Sequence, residues 1–286
     1  MMTDDAPRPH TANSQTLHAI VGDVHGELDS LLSLEERVHS FAEQHGFAAT
    51  HFVLVGDLVD RGPNSAGVVE HARKGVAAGT HSVILGNHEE AMLAALDAHA
   101  PELLIEAGTA LPPILQSYEV SQNYARSSSR LFPPEVFGIH RVLDWLAQGG
   151  HATMKSYGSS EPTDLTSWHV PPEHLRFLCS LPLLWKSDDL IVTHAIPDPG
   201  ALESQYSTDA DIRRAAITSI LWGRRVPQSP VDPSRIHVSG HSPQKAVRRR
   251  RRLKMVQVDT GATYGGRLSA WCAELDRVVS ALGAHE

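Results

Sequence analysis

Hydrophobic and polar positions follow a βα rhythm through the first third of the chain. Short apolar runs that predict buried strands lie at 18–21, 52–55 and 83–85. Each run ends in a polar loop that contains glycine, and each loop leads into a stretch with helical character. These stretches are 27–44, 66–78 and 91–98. The order predicts an α/β domain in which helices connect neighbouring strands.

The region 101–187 interrupts this rhythm. It lacks strand character, contains several prolines, and predicts helical pieces at 136–148 and 173–178. We interpret it as a mostly helical insert that caps the site, with its tryptophans as core residues: Trp145, Trp168 and Trp185. Strand character returns later, at 190–193, 236–239, 255–258 and 268–275.

Composition bounds the class of protein. A chain of 286 residues is long enough for one large core, so we predict a disordered tail at 1–16 and a single domain at 17–286. No apolar run approaches the roughly 20 residues that span a bilayer, and the N-terminus lacks a secretory signal. Cys179 and Cys272 form no disulfide framework, which favours a cytoplasmic protein. The net charge of −8 argues against a stable nucleic-acid partner, and the oligomeric state stays open.

Five polar motifs stand where predicted strands end. They are GDVHG (22–26), GDLVDRG (56–62), GNHE (86–89), THAIPDPG (193–200) and GHSP (240–243). In open α/β sheets, ligands bind outside the carboxyl ends of the strands, so these loops are expected to converge on one edge. The convergence predicts one site instead of several unrelated turns.

The motifs offer carboxylate, amide and imidazole groups but no thiolate. The candidate metal ligands are Asp23, His25, Asp57, Asn87, His194 and His241. This mixture suits divalent ions such as Mn²⁺ better than a structural zinc site, with Fe, Zn, Ni, Co and Mg as alternatives. Asp57 is the candidate to bridge two ions, and two ions roughly 3.5–4 Å apart can clamp a phosphoryl group. The predicted reaction is attack on phosphorus by a metal-bridging hydroxide.

Other residues of the same loops are candidates for handling the proton and the phosphate. His88 is the candidate general acid for the leaving group, with Asp60 orienting its ring. Arg61 offers a planar, permanently charged fork to phosphate oxygens. Arg224 or Arg225 is a candidate second clamp, and the sequence does not choose between them.

Taken in order, these motifs resemble the calcineurin-like metallophosphoesterases, and within them the phosphoprotein phosphatase branch. The resemblance covers residues 19–275. It implies a β-sandwich flanked by helices, with two metal ions at the sheet edge and a helical insert over the site. It implies that one ion is bound by Asp23, His25 and Asp57, and the other by Asp57, Asn87, His194 and His241. It also implies His88 as general acid, oriented by Asp60, with Arg61 on the phosphate. Asn87 is a further candidate for binding the substrate.

Three longer stretches, 145–158, 171–183 and 259–270, resemble bacterial and phage-type phosphatases of this branch and also bacterial diadenosine tetraphosphate hydrolases. His25 stands where those hydrolases favour glutamine, which supports the phosphatase side. Ile196 replaces a glycine that the family usually has, so it either narrows the pocket or simply packs. Tyr264 is the candidate for a substrate-binding tyrosine of the eukaryotic enzymes.

The predicted function is hydrolysis of phosphate monoesters, with phosphoserine, phosphothreonine or phosphotyrosine in proteins as substrate. The alternative is a dinucleoside polyphosphate or polyphosphate hydrolase that cleaves phosphoanhydrides. A catalytically dead phosphate-binding scaffold is disfavoured because no expected ligand is missing. The arginine run 248–252 is interpreted as a charge-protected edge strand or as a landing patch for polyanions near the catalytic edge.

Overall fold

Two five-stranded β-sheets form the centre of the protein. The computed structural model describes residues 16–112, residue 115 and residues 134–282. The predicted disordered tail lies outside these residues except for Thr16, and so does most of the middle of the predicted insert. Among the described helices, none is long and apolar enough to cross a bilayer.

The first sheet has the strand order β10-β9-β1-β2-β3. Its strands are β1 (Thr16–Val21), β2 (Ala49–Leu54), β3 (His81–Val83), β9 (Arg267–Cys272) and β10 (Arg277–Leu282). The first three are parallel because a helix connects each to the next. β9 runs antiparallel to β1, and β9 and β10 form a hairpin whose second strand the sequence analysis did not predict.

The second sheet has the strand order β4-β5-β6-β8-β7. Its strands are β4 (Leu184–Lys186), β5 (Leu190–Thr193), β6 (Ile236–Ser239), β7 (Arg248–Arg250) and β8 (Met255–Gln257). The expectation that 101–187 contains no strand is wrong for β4. This three-residue strand is too short to show alternation, and it forms by turning back tightly onto β5, where the N–H of Ser187 donates to Leu190 O at 3.0 Å.

Helices surround the two sheets. They are α1 (Leu28–Gln44), α2 (Ser65–Ala77), α3 (Asn87–His99), α4 (Pro101–Glu106), α5 (Pro134–Trp145), α6 (His151–Ser156), α7 (Pro172–Cys179), α8 (Ala201–Ser204) and α9 (Ala210–Trp222). α3 begins four residues before its predicted start, which places the GNHE motif in its first turn. α5 packs on α3, while α6 and α7 pack on α2. These described helices of the insert therefore lie against helices that connect the strands of the first sheet or follow its third strand.

The strands are apolar on both faces because both faces are covered. Ile20 and Val53 of the first sheet pack between the sheets against residues of the second, including Val192 and Val238. The residues that alternate with them, such as Leu54, belong to the cluster that the helices share. Burial on both faces explains the continuous apolar runs of the sequence. The predicted fold class, an α/β sandwich flanked by helices, is confirmed.

The arginine run does not lie at the catalytic edge as expected. β7 is the edge strand of the second sheet and is antiparallel to β8, so only Arg248 faces the end of β8 that leads toward the site. Arg251 and Arg252 lie in a turn at the opposite end. Arg249 is half-buried, and its Nη2 donates to Asp276 O at 3.1 Å. The edge-strand interpretation therefore fits the structure better than a landing patch.

We predict that Leu54→Ala lowers the free energy of unfolding by roughly 2–5 kcal/mol because it opens a cavity under the helix layer. The matched control is Leu282→Ala in β10 of the same sheet, whose side chain is 51% exposed. That variant should change stability by about 0.5 kcal/mol or less. Denaturant unfolding measures both, and equal losses would contradict this account of the core.

Candidate metal centre

The five motif loops meet where the two sheets share an edge. The imidazole of His194, which follows β5, donates from Nδ1 to Val55 O after β2 at 2.7 Å. The N–H of Gly240, which follows β6, donates to His194 O at 2.9 Å. These bonds connect loops from both sheets, so the structure brings the motifs together as the strand order predicts.

The buried carboxylate of Glu89 organises the central loop. It accepts hydrogen bonds from the backbone N–H groups of Asp57 at 2.8 Å, Leu58 at 2.7 Å, Val59 at 3.1 Å and Gly86 at 3.0 Å. Four donors to one carboxylate fix the path of the chain on both sides of Asp57. Sequence analysis did not single out Glu89, although it is the last letter of GNHE.

The backbone is strained at the same place. The non-glycine residues with a left-handed backbone here are His25 (φ 46°), Asp57 (φ 52°), Asp60 (φ 75°), Arg61 (φ 71°) and His241 (φ 65°). Such conformations cost free energy and persist where surrounding contacts impose them, often at functional sites. Each of these residues carries a side chain that the sequence analysis assigned to the site.

Glycines allow the loops to approach one another. A Cβ on Gly240 would lie 2.1 Å from Asp23 Oδ1, and one on Gly86 would lie 2.3 Å from Asp57 Oδ1. Neither distance is possible for real atoms, so any larger residue would displace a carboxylate of the site. The glycines in GNHE and GHSP therefore allow the loops to approach the carboxylates of Asp57 and Asp23 closely.

Asp57 lies between two imidazoles. His25 Nε2 is 3.5 Å from Asp57 Oδ2, and His194 Nε2 is 3.4 Å from Asp57 Oδ1. All three side chains are at most 5% exposed. The two oxygens of one carboxylate thus face opposite histidines, which is the arrangement expected of a bridging ligand.

The nitrogens that face Asp57 carry lone pairs. Nδ1 of His25 donates to Val59 O at 2.9 Å, and Nδ1 of His194 donates to Val55 O at 2.7 Å. Burial lowers the pKa of both rings, to about 3 for His194, so each ring is neutral and its Nε2 has no proton. Metal-binding histidines are typically oriented in this way, by a backbone carbonyl on the other nitrogen.

Asn87 and His241 extend this cluster of acceptors. Asn87 Oδ1 lies 2.8 Å from His194 Nε2 and 2.8 Å from His241 Nδ1. The first contact joins two acceptors, an amide oxygen and an unprotonated nitrogen, and a cation between them would make it favourable. His241 is 6% exposed.

Two further carboxylates, those of Asp23 and Asp259, interact with each other at this site. The carboxylate of Asp23 accepts from the N–H of His241 at 3.0 and 3.1 Å. Burial raises the pKa of Asp23, and the charges of Asp259 and Asp57 add to the effect. Burial raises the pKa of Asp259 to about 6. Divalent cations would relieve this repulsion. Asp259 was missed as a site residue, although it follows strand β8 as the other motifs follow theirs.

The donor set therefore fits two metal ions that share a ligand. Ligand atoms lie within 4.8 Å of one another in two groups that share Asp57, one with His25 and His88 and one with His194 and His241. His88 belongs to the first group by distance, but its Nε2 is 4.0 Å from Asp57 Oδ2, and its Nδ1 is hydrogen-bonded to Asp60. The metal, catalytic and substrate roles of these residues stay proposals.

Asp60 holds the ring of His88. His88 Nδ1 lies 2.6 Å from Asp60 Oδ2, and Asp60 is fully buried. The indole N–H of Trp145 donates to both oxygens of Asp60 at 3.0 and 3.1 Å, and the hydroxyl of Thr153 donates to Oδ1 at 2.7 Å. Burial raises the pKa of Asp60 to about 7, while Thr153 and Trp145 lower it.

Trp145 and Thr153 belong to the predicted insert, and the sequence did not indicate their roles. Trp145 was interpreted as a core residue, and it is buried, but it is also a hydrogen-bond donor to the site. The insert thus contributes to the site from beside Asp60. Its function as a cap stays a prediction.

Arg61 reaches into the centre of the cluster. Its Nη1 donates to His25 Nε2, its Nη2 donates to His88 Nε2 at 2.8 Å, and its guanidinium lies 5.2 Å from the centroid of the Tyr264 ring. Tyr264 is 63% exposed. The arginine and the exposed tyrosine therefore stand together at the edge of the cluster.

Arg224 and Arg225 lie in different surroundings. The charge of Arg224 lowers the pKa of His241, whose largest shift comes from burial, so Arg224 lies near the cluster. Arg225 lines a groove of about 390 Å³ with Asp198 and Pro199, and no residue of the metal cluster lines that groove. Ile196 is 2% exposed, and its N–H donates to Gly223 O at 3.1 Å, so it packs against the start of this segment.

Comparison with known proteins identifies the family. The model of the calcineurin-like phosphoesterase family matches residues 18–244. No curated protein sequence matches the chain.

Similar solved structures cover nearly the whole chain. One, of a protein proposed to be a diadenosine tetraphosphatase, is 20% identical, covers 96% of this chain and 96% of its own, and has a TM-score of 0.51. A hypothetical protein from Pyrococcus horikoshii OT3 is 13% identical over 95% of this chain and 89% of its own, with a TM-score of 0.51. A cold-active protein-tyrosine phosphatase from a psychrophilic Shewanella species is 16% identical over 94% of this chain and 82% of its own, with a TM-score of 0.50. At these identities the similarity concerns the fold.

We predict that Trp145→Phe shifts the acidic limb of the pH–rate profile for an aryl phosphate upward by about one to two units. The variant removes a donor to a buried carboxylate, which is worth roughly 1.5–3 kcal/mol, and 1.36 kcal/mol corresponds to one pKa unit. The pKa of Asp60 rises, so activity that needs its charge is lost as pH falls.

Trp168→Phe is the matched control because Trp168 packs edge-on against Trp145 but donates to Pro162 O at 2.9 Å. It should cost stability and leave the profile in place. An unshifted profile in Trp145→Phe would show that Asp60 does not depend on this donor.

Proposed function

The chain belongs to the calcineurin-like phosphoesterase family, and we propose that it is a metal-dependent phosphomonoesterase of the phosphoprotein phosphatase branch. The proposed substrates are phosphoserine, phosphothreonine or phosphotyrosine side chains of proteins. The proposed metals are two divalent ions, Mn²⁺ first, with Asp57 as the ligand that both share. The observation that carries this proposal is the buried pair of His88 and Asp60 beside Arg61.

A positioned imidazole matters most when the leaving group is poor. The alkoxide of serine or threonine is strongly basic and needs a proton as the P–O bond breaks. The phosphate that leaves a phosphoanhydride is far less basic and needs little help. Because His88 Nδ1 is fixed by Asp60 at 2.6 Å, its Nε2 is directed toward Asp57 and the reacting phosphate. This arrangement favours monoester hydrolysis.

The charge of a bound phosphate would favour the protonated form of His88. Burial and the charge of Arg61 lower the pKa of His88, so the ring is neutral in the structure and accepts from Arg61 Nη2. A phosphate dianion would take over the guanidinium fork and place negative charge near the ring. Both changes raise the pKa of His88, so the binding of substrate favours the protonated form that can donate to the leaving oxygen.

The remaining residues bind and orient the phosphoryl group. Arg61 presents two N–H groups to equatorial oxygens, and charge stabilisation of this kind is stronger in a water-poor site. The Asn87 amide and Arg224 are proposed to contact the same oxygens from the other side. Divalent ions at Asp57 would supply Lewis acidity and a nucleophilic water at neutral pH.

The alternative is hydrolysis of dinucleoside polyphosphates. The observation that favours it is Tyr264, an exposed aromatic ring beside the phosphate-binding arginine. Such a ring can stack with a nucleobase as well as with a peptide side chain. One of the structures with this fold is of a protein proposed to be a diadenosine tetraphosphatase, and another is of a protein-tyrosine phosphatase, so the fold does not decide.

We predict that His88→Asn lowers kcat by roughly 10²–10⁴ for a phosphoserine peptide, and much less for p-nitrophenyl phosphate, whose leaving group needs no proton. The measurement compares both substrates and diadenosine tetraphosphate, each with Mn²⁺, in wild type and variant. Wild-type preference for the phosphopeptide supports the monoesterase.

His151→Asn is the control, because His151 is exposed and its Nδ1 donates to Leu146 O at 2.8 Å, outside the metal cluster. It should leave all three rates near wild type. Equal losses of kcat for the peptide and the aryl phosphate in His88→Asn would contradict the general-acid role. Faster wild-type cleavage of diadenosine tetraphosphate than of the peptide would favour the alternative.

A further inference from the structure

A second cluster of metal-binding side chains lies at the other end of the first sheet. It consists of Glu35 from α1, His71 from α2 and His81, the first residue of β3. The catalytic loops follow the last residues of the strands, so this cluster and the metal centre stand at opposite ends of β3. The proposed function uses none of the three residues.

The three side chains converge on one point. Nε2 of His71 lies 2.9 and 3.0 Å from the two oxygens of Glu35, and Nε2 of His81 lies 3.0 Å from Glu35 Oε1. Ligands of a tetrahedral zinc ion, with metal–ligand distances near 2.1 Å, stand roughly 3.4 Å apart. The observed separations need only a small expansion to admit an ion.

The hydrogen bonds of Thr80 orient His81 as a ligand. The Thr80 hydroxyl lies 3.2 Å from Gly75 O and 2.8 Å from Nδ1 of His81. This contact holds the ring so that Nε2 faces Glu35 Oε1 at 3.0 Å. A zinc ion would take the place of the proton between these two atoms, because it binds the neutral imidazole and the carboxylate.

The fold makes room for this ring. A Cβ on Gly75 would lie 2.2 Å from His81 Nδ1, so only glycine at that position of α2 admits the imidazole. Glycine inside a helix costs roughly 0.5–1 kcal/mol relative to alanine. Helix α2 therefore contains a residue of low helix propensity at the position where the ring of His81 packs.

We propose that Glu35, His71 and His81 bind a further divalent ion of the zinc class, separate from the catalytic pair. Two imidazoles and one carboxylate are ligands that Zn²⁺ favours, and water completes the coordination. The side chains of Glu35 and His81 are 10% and 6% exposed, while that of His71 is 28% exposed, which gives the ion a route of entry. The ion connects α1, α2 and β3 and so stabilises the helix layer against the sheet.

The charge of Glu35 supports a cation here. Burial alone would raise the pKa of Glu35, but hydrogen bonds from His71 and His81 outweigh it and keep the pKa below its ordinary value. The hydrogen bond to Glu35 raises the pKa of His71. Zinc binds the unprotonated ring and competes with a proton for its nitrogen, so its affinity falls as pH falls.

The test measures zinc directly. Metal-free full-length protein is equilibrated with Zn²⁺, freed of excess metal and analysed by plasma mass spectrometry and thermal unfolding. His71→Asn should bind one equivalent less than wild type and show a smaller rise in Tm with Zn²⁺. Its Mn²⁺-dependent hydrolysis of p-nitrophenyl phosphate should be unchanged. Glu35→Gln, which keeps the shape of the side chain, should lose the same equivalent.

His51→Asn is the matched control, because this half-buried ring in the neighbouring strand bonds to Ser82 Oγ at 2.8 Å and belongs to neither cluster. It should retain the wild-type zinc content. Wild-type content and Tm shift in both His71→Asn and Glu35→Gln would overturn the proposal and leave a proton-linked hydrogen-bond cluster. If the proposed function is wrong and the catalytic centre binds no metal, wild type and variants all contain less zinc by the same amount. The difference in zinc content between wild type and His71→Asn would then remain.

Discussion

The rest of the site depends on the contacts between the buried carboxylate of Asp57 and unprotonated imidazole nitrogens. His25 and His194 donate their Nδ1 protons to backbone carbonyls and direct lone pairs at Asp57 from opposite sides. Asn87 adds an oxygen to the same cluster. Acceptors packed this closely repel one another unless cations lie among them, as the Arg61 guanidinium does beside His25 and as divalent ions would at Asp57. The chemistry of the site therefore follows from how the fold holds these groups together.

The fold imposes this arrangement through the backbone. Glu89 binds four N–H groups around Asp57, and glycines at 86 and 240 let loops from two sheets approach within contact distance. Left-handed backbone at His25, Asp57 and His241 aims their side chains inward. The fold also imposes a close contact at Glu35 and His81, where the Thr80 hydroxyl and a glycine of α2 hold the ring against the carboxylate.

Sequence reasoning found the parts of the site that follow from strand order. The βα rhythm placed Asp23, Asp57 and Asn87 at one edge, because carboxyl ends of parallel strands share an edge. It missed the residues whose roles depend on tertiary contact. Trp145 and Thr153 reach Asp60 across 85 and 93 residues of sequence, and no periodicity marks such a pair. It also misplaced Arg251 and Arg252, because the direction of an edge strand is set by its partner.

We propose that two divalent ions share the carboxylate of Asp57. Electron paramagnetic resonance of the protein loaded with Mn²⁺ tests it most directly, because two manganese ions joined by a common ligand are exchange-coupled and give a spectrum unlike that of isolated ions. We expect a coupled spectrum in wild type and its loss in Asp57→Asn, whose side chain has the same shape but no bridging charge. Spectra of isolated ions alone in wild type, or a coupled spectrum that persists in Asp57→Asn, would contradict it.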